Sequence, residues 1–199
     1  MLIKDWKKDI LTIPNLLSLF RLALIPVYML IYLNAKETSH YYLAAAILAV
    51  SCLTDLIDGK IARHFNMIST VGKILDPFAD KATQFAMIVC LAIKYPFLWY
   101  VMGLFVVKES FQLIVGGITL KKGKMLEGAL MAGKVCTTIL FLSLIAMVMI
   151  PEMSEKTVMI IGYVDIAFML VAFVAYFLAY FGKNKKVYDI EEPTDKNSN

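Results

Sequence analysis

Charge is scarce in this 199-residue chain: Asp, Glu, Lys and Arg make up 18% of it, against 60% hydrophobic residues. That balance argues against an ordinary soluble domain, because one small aqueous core could not hide so much apolar surface. Histidine is scarcer still, with two residues, and the three cysteines, Cys52, Cys90 and Cys136, stand singly in apolar stretches. Without CxxC or Cys/His spacing the chain encodes neither a zinc site nor a disulfide framework, and the cysteines read as packing residues. No basic stripe is present either. The net charge of +4 comes from Lys and Arg in short clusters between apolar runs, which suits anionic lipid headgroups better than nucleic acid. A cleavable signal is also missing: the stretch 11–33 is longer than a signal core, carries Pro14, Arg21 and Pro26, and has no small-residue cleavage site, so it reads as a retained span. No internal repeat occurs.

What is abundant is long apolar sequence. About 20 such residues cross a bilayer as a helix, and six stretches qualify, at 11–33, 41–62, 77–93, 97–120, 129–150 and 158–181. The expected fold is therefore all-α: a polytopic membrane protein with six transmembrane helices. Lys94, Tyr95 and Pro96 form so short a turn that the third and fourth spans must be antiparallel neighbours. Basic residues mark the orientation. One set of ends carries Lys4, Lys7, Lys8, Lys60, Arg63, Lys73, Lys81, Lys121, Lys122, Lys124, Lys183, Lys185 and Lys186, and the other carries only Lys36, Lys94 and Lys156. Both termini are expected in the cytoplasm of a multi-pass cell-membrane protein. Residues 5–11 mix charge with Trp6 and apolar residues, as a short interfacial helix does, or as a charged flank with a Trp anchor does. Residues 1–182 are expected to form a single membrane domain, and 183–199 a polar cytoplasmic tail.

Ionisable groups inside spans are expensive, so each is a functional candidate until a partner explains it. Here they are Arg21, Asp55, Asp58, Asp76, Asp80, Lys108, Glu109, Lys134 and Asp165. Asp55 and Asp58 are three apart near the end of the second span, and Asp76 and Asp80 four apart at the start of the third, so each pair lies along one helix face. Four carboxylates brought together repel strongly, and a divalent cation relieves this better than protonation does. All-oxygen ligation, with only His64 nearby, favours Mg²⁺ or Mn²⁺ over zinc. Intramembrane carboxylates also line transporter pathways, but those lie near the bilayer midplane, often in related halves, whereas these gather at one face.

Between the aspartates run Gly59, Ala62, Arg63 and Gly72, completing D-x-x-D-G-x-x-A-R, an eight-residue gap, and G-x-x-x-D-x-x-x-D. This resembles the signature of the CDP-alcohol phosphotransferase family, with all of its fixed positions present. The resemblance implies that Asp55, Asp58, Asp76 and Asp80 hold two divalent ions against the diphosphate of a CDP-linked lipid. It further implies that Asp80 takes the proton from the acceptor hydroxyl. Gly59, Ala62, Arg63 and Gly72 would border the CDP-lipid. The two glycines and Ala62 equally suit close helix packing, and Arg63 equally suits a snorkelling boundary cation.

Thr12 to Arg21, with Leu24, Ile25 and Pro26, resembles the opening of the phosphatidylglycerophosphate synthase branch and its cardiolipin synthase relatives. The implied reaction transfers a phosphatidyl group from CDP-diacylglycerol to glycerol 3-phosphate, releasing CMP. Phosphatidylglycerol or an inositol phosphate is the alternative acceptor. Arg21, Lys81, Lys108 and Lys134 are candidate cations for a phosphorylated acceptor. Gly133, Lys134 and Thr137 resemble a G-K-x-x-T element of that branch. Arg21 could instead pair with an aspartate, and Lys108 with Glu109. The chain departs from the branch by carrying Lys108 before Glu109, and Gly116 and Gly117 where a second Arg is expected. Asp165 has no obvious partner and suits a cavity or the interface of an expected homodimer.

Overall fold

The computed structural model describes residues 12–64, 72–122, 124–126, 131–182 and 187–189, and the side chains of residues 13–14, 55–64, 73–74, 124–126 and 187–189 lie outside that description. The expected interfacial helix at 5–11 and most of the expected tail also lie outside it. Among the described residues there are six helices: α1 (Ile13–Leu33), α2 (Thr38–His64), α3 (Gly72–Lys94), α4 (Leu98–Lys121), α5 (Met131–Met149) and α6 (Glu155–Phe181). A short antiparallel ribbon pairs β1 (Lys124–Leu126) with β2 (Val187–Asp189), Met125 opposite Tyr188. So part of the segment expected as a polar tail is paired strand.

Local chemistry accounts for the helix ends. Extended Thr12 precedes α1, and Pro14 sits in its first turn, where a missing N–H costs nothing. At the other end Asn34 closes α1, its backbone N–H and its side-chain amide both donating to the Leu30 carbonyl. Ser154 opens α6 by accepting the Thr157 N–H, with Glu155 in the first turn where the helix dipole favours an acid. The turn between α3 and α4 is as short as expected. It is pinned by Lys94 Nζ, 2.7 Å from the Pro151 carbonyl, and by the Tyr95 hydroxyl, 3.2 Å from the Met153 carbonyl.

Among the described residues, four helices are long and apolar enough to cross a membrane, over Asn15–Leu33, Leu98–Lys121, Met131–Met149 and Glu155–Phe181. The other two, α2 and α3, are those that carry the four aspartates; the described part of α2 is apolar over Thr38–Thr54, and Asp76, Asp80 and Lys81 interrupt the apolar length of α3. α3 also starts five residues before the apolar stretch expected at 77–93, because apolar length measures bilayer depth and a helix can extend past it.

The side-chain distribution is inside-out relative to a soluble protein. On α1, Leu16, Leu19, Phe20, Val27, Leu30 and Leu33 are exposed, whereas Asn15, Ser18 and Arg21 are buried. Apolar side chains turned outward suit lipid, and polar ones turned inward find the partners that lipid cannot offer. The chain is a helical membrane protein.

Two compact units divide it, one of Met1–Leu98 with Leu144–Val158, the other of Trp99–Ser143 with Met159–Asn199. In the first, α1 packs against both α2 and α3. In the second, Phe111 of α4 gathers Phe173, Phe177, Tyr180 and Phe181 of α6, its ring centroid 4.9 Å from that of Phe173. Asp165, 1% exposed on α6, receives a hydrogen bond from Ser143 of α5 at 2.7 Å. That supplies the partner the amino-acid pattern does not reveal. Ser143→Ala removes the hydroxyl from a buried carboxyl and is expected to cost about 1–2 kcal/mol. A lowered melting temperature of the detergent-solubilised protein is the readout, and an unchanged one would show that Asp165 is satisfied otherwise.

Candidate functional site

Asp76 and Asp80 lie one turn apart on α3, and each is met by a side chain of α1. Ser18 Oγ donates to Asp76 Oδ1, and Arg21 Nη1 donates to Asp80 Oδ1 in an ion pair. Ser18 and Arg21 are three apart, so they share a face of α1 and match the four-residue spacing of the aspartates across the helix contact. Arg21 has 3% of its side chain exposed and Asp80 has 50%, so the cation is buried while the carboxylate reaches the surface of its unit. A buried guanidinium demands a partner, and Asp80 is one.

Asp55 and Asp58 stand on the last part of α2 with Gly59, Ala62 and Arg63, and their side chains fall outside the described residues. Gly72, buried, is the first residue of α3. Among the described residues no three His, Cys, Asp or Glu side chains gather around one point as a metal requires. The donor chemistry of Asp76 and Asp80, hard carboxylate oxygens with one half-exposed, fits Mg²⁺ or Mn²⁺. Lys81 follows Asp80 on α3 and is part-buried.

Of the remaining candidates for the acceptor, Lys108 is 3% exposed in mid-α4 and gives a 2.6 Å hydrogen bond to Glu109, the pairing that its sequence position allows. Lys134 is exposed in the first turn of α5. Thr137 turns its hydroxyl back to the Gly133 carbonyl at 2.9 Å, the common fate of a helical threonine. Gly133 lies against Tyr176 of α6: a Cβ built there would sit 2.4 Å from the tyrosine hydroxyl. Ser18 beside Asp76, and separately Tyr176 against Gly133, are neighbours that pattern alone misses. The signal for Ser18 is its place one turn before Arg21 on the buried stripe, and for Tyr176 there is none in the sequence.

These features define a helical membrane protein with a carboxylate pair braced from a neighbouring helix. Its family follows from comparison: the profile of the CDP-alcohol phosphatidyltransferase family matches residues 11–181, and the chain belongs to that family. A CDP-diacylglycerol–glycerol-3-phosphate 3-phosphatidyltransferase of Aquifex aeolicus is 35% identical over 138 residues, 68% of this chain and 75% of that protein. A cardiolipin synthase (CMP-forming) of Streptomyces coelicolor is 34% identical over 119 residues, 57% of this chain and 54% of that one. A probable phosphatidylglycerophosphate synthase of Mycobacterium tuberculosis is 32% identical over 102 residues, 50% and 49% of the two chains. The matched stretch thus spans about half the length of the latter two relatives.

The α1 brace is testable by itself. A double-mutant cycle on Arg21→Ala and Asp80→Ala, read as stability in detergent, is expected to give a coupling of about 1 kcal/mol or more. Strict additivity would mean that the two side chains do not support each other.

Proposed function

We propose that this chain transfers a phosphatidyl group from CDP-diacylglycerol to glycerol 3-phosphate, yielding phosphatidylglycerophosphate and CMP. The observation that carries the reading is the Asp76 and Asp80 pair on α3, held by Ser18 and Arg21, inside the family's signature. Asp55, Asp58, Asp76 and Asp80 would hold two divalent ions, Mg²⁺ or Mn²⁺, which when bound would supply positive charge beside the diphosphate. Asp80 accepts the proton of the acceptor hydroxyl. The hydroxyl oxygen bonds to the lipid-bearing phosphorus, the bond from that phosphorus to the CMP oxygen breaks, and CMP leaves with the electron pair. Arg21 aims Asp80, and Ser18 fixes the rotamer of Asp76. Gly59, Ala62, Arg63 and Gly72 border the CDP-lipid, and Lys134 binds the acceptor phosphate, with Lys81 a further candidate.

Phosphatidylglycerol is the second reading for the acceptor, because Lys108 is occupied by Glu109 and several similar proteins are cardiolipin synthases. A site with fewer available cations suits a phosphodiester monoanion better than a phosphomonoester dianion.

The purified protein is expected to release CMP from CDP-diacylglycerol when Mg²⁺ or Mn²⁺ and glycerol 3-phosphate are present, and to stop when the metal is chelated. Silence with glycerol 3-phosphate, phosphatidylglycerol, inositol phosphate and serine alike would sink the transferase reading. Asp80→Asn should retain CDP-lipid binding and lose turnover by about 100-fold or more. A near-normal rate would remove Asp80 from the base role.

The same reading places six spans in a cell membrane, with both termini and the aspartates cytoplasmic, supported by the clustering of basic residues at one set of helix ends. A cysteine replacing Lys36 should then be labelled in intact cells by an impermeant thiol reagent, and protection of that site would reverse the orientation.

A further inference from the structure

We propose that Gln84, one turn further along α3 than Asp80, binds the hydroxyl next to the attacking one on the acceptor, so that the site selects vicinal diols. The proposal rests on the transferase reading above and adds a specificity-determining residue to it.

Three observations converge on this residue. First, Gln84 is 3% exposed, and its Oε1 has no hydrogen-bond partner among the described residues. Inside a membrane helix, such an oxygen lacks the water that would otherwise satisfy it. Second, Asp76, Asp80 and Gln84 follow one another at four-residue intervals, so they run along one face of α3. Ser18 and Arg21 of α1 meet the first two. Leu24 and Ile25, which continue that row of α1 by one turn, carry no polar group to meet the third. Third, Ala86, Met87, Ile88 and Leu91, which follow Gln84 on α3, are buried and apolar. Gln84 thus marks the floor of the polar zone that Asp80, with half of its side chain exposed, opens to the surface.

Helix geometry turns the carboxamide towards the aspartate. Side chains on a helix lean towards its N-terminus, so Gln84 leans over the turn that carries Asp80. Four residues rise about 6 Å along the axis, and the extra methylene of glutamine shortens the gap between the two polar ends. Adjacent hydroxyls on one small molecule can span what remains. Asp80 accepts the proton of the attacking hydroxyl, and the hydroxyl on the neighbouring carbon donates to Gln84 Oε1. A hydroxyl also accepts, so it serves either side of the carboxamide. An acceptor without that second hydroxyl would leave the amide buried and unpaired, and this penalty is the source of selectivity. Glycerol 3-phosphate and the glycerol headgroup of phosphatidylglycerol both present the vicinal pair.

The test follows CMP release by the full-length protein in lipid nanodiscs. Each acceptor is matched with an analogue lacking only the middle hydroxyl: glycerol 3-phosphate with 3-hydroxypropyl phosphate, and phosphatidylglycerol with phosphatidyl-1,3-propanediol. Wild type should favour the diol by about tenfold in kcat/KM, and in Gln84→Leu that preference should shrink to about twofold or less. The pair that shows the effect tells free glycerol phosphate from the lipid headgroup. Because the ratio compares two acceptors on one protein, a loss of folded enzyme does not move it, and Gln84→Met serves if the leucine variant fails to fold. Absence of a preference in wild type, or a preference that survives in the variant, overturns the proposal. So does a raised Mg²⁺ requirement with the preference intact, which would make Gln84 a metal ligand. A wild type that releases no CMP with any of the four acceptors ends the transferase reading and this proposal with it. A wild type equally active on both members of a pair ends this proposal alone.

Discussion

In hydrocarbon, a polar side chain has no water to fall back on, so its partner must come from the protein. That constraint organises what is buried here more than apolar packing does. The outer faces of the helices are rich in Leu, Val, Ile and Phe, and lipid contact satisfies these as well as a core would. The polar residues cannot be left to lipid. Ser18 meets Asp76, Arg21 meets Asp80, Ser143 meets Asp165 and Lys108 meets Glu109. Three of these pairs join different helices, so the pairs that satisfy charge also fix helix register.

The same constraint bears on the reactive centre proposed at α1 and α3. A carboxylate that is to take a proton, or to hold a cation, must be ionised and aimed before the substrate arrives. In the proposed reading Arg21 and Ser18 do the aiming, while Asp80 keeps half its surface open. A pair buried on both sides would be tight and useless. A pair with the cation inside and the carboxylate at the surface leaves the acid available and still charges the helix contact with a penalty if it slips.

How far this was legible in the amino-acid order depends on the range of each interaction. Helices and the shared face of Asp76 and Asp80 are local, and they emerge as expected; the third helix begins at Gly72, ahead of its apolar stretch. The braces are not local. Ser18 and Asp76 are 58 residues apart, and Ser143 and Asp165 are 22 apart, and a serine inside an apolar run looks like any small packing residue. Arg21 stood between two roles, and its contact with Asp80 favours the structural one. Pairing of Lys124–Leu126 with Val187–Asp189 was equally hidden, since three-residue strands in polar sequence carry no periodic signal.

The acceptor is the least legible part for a physical reason. Counting cations near the spans overstates those available, because a lysine paired with its neighbour, as Lys108 is with Glu109, has little charge left for a phosphate. In the proposed reading the transfer chemistry uses four acids whose spacing is set by two helices. Recognition of the acceptor requires only that some donors converge, and many residue sets can do that. A family can therefore keep the first pattern in plain view while varying the second, and relatives with two kinds of acceptor are the expected consequence.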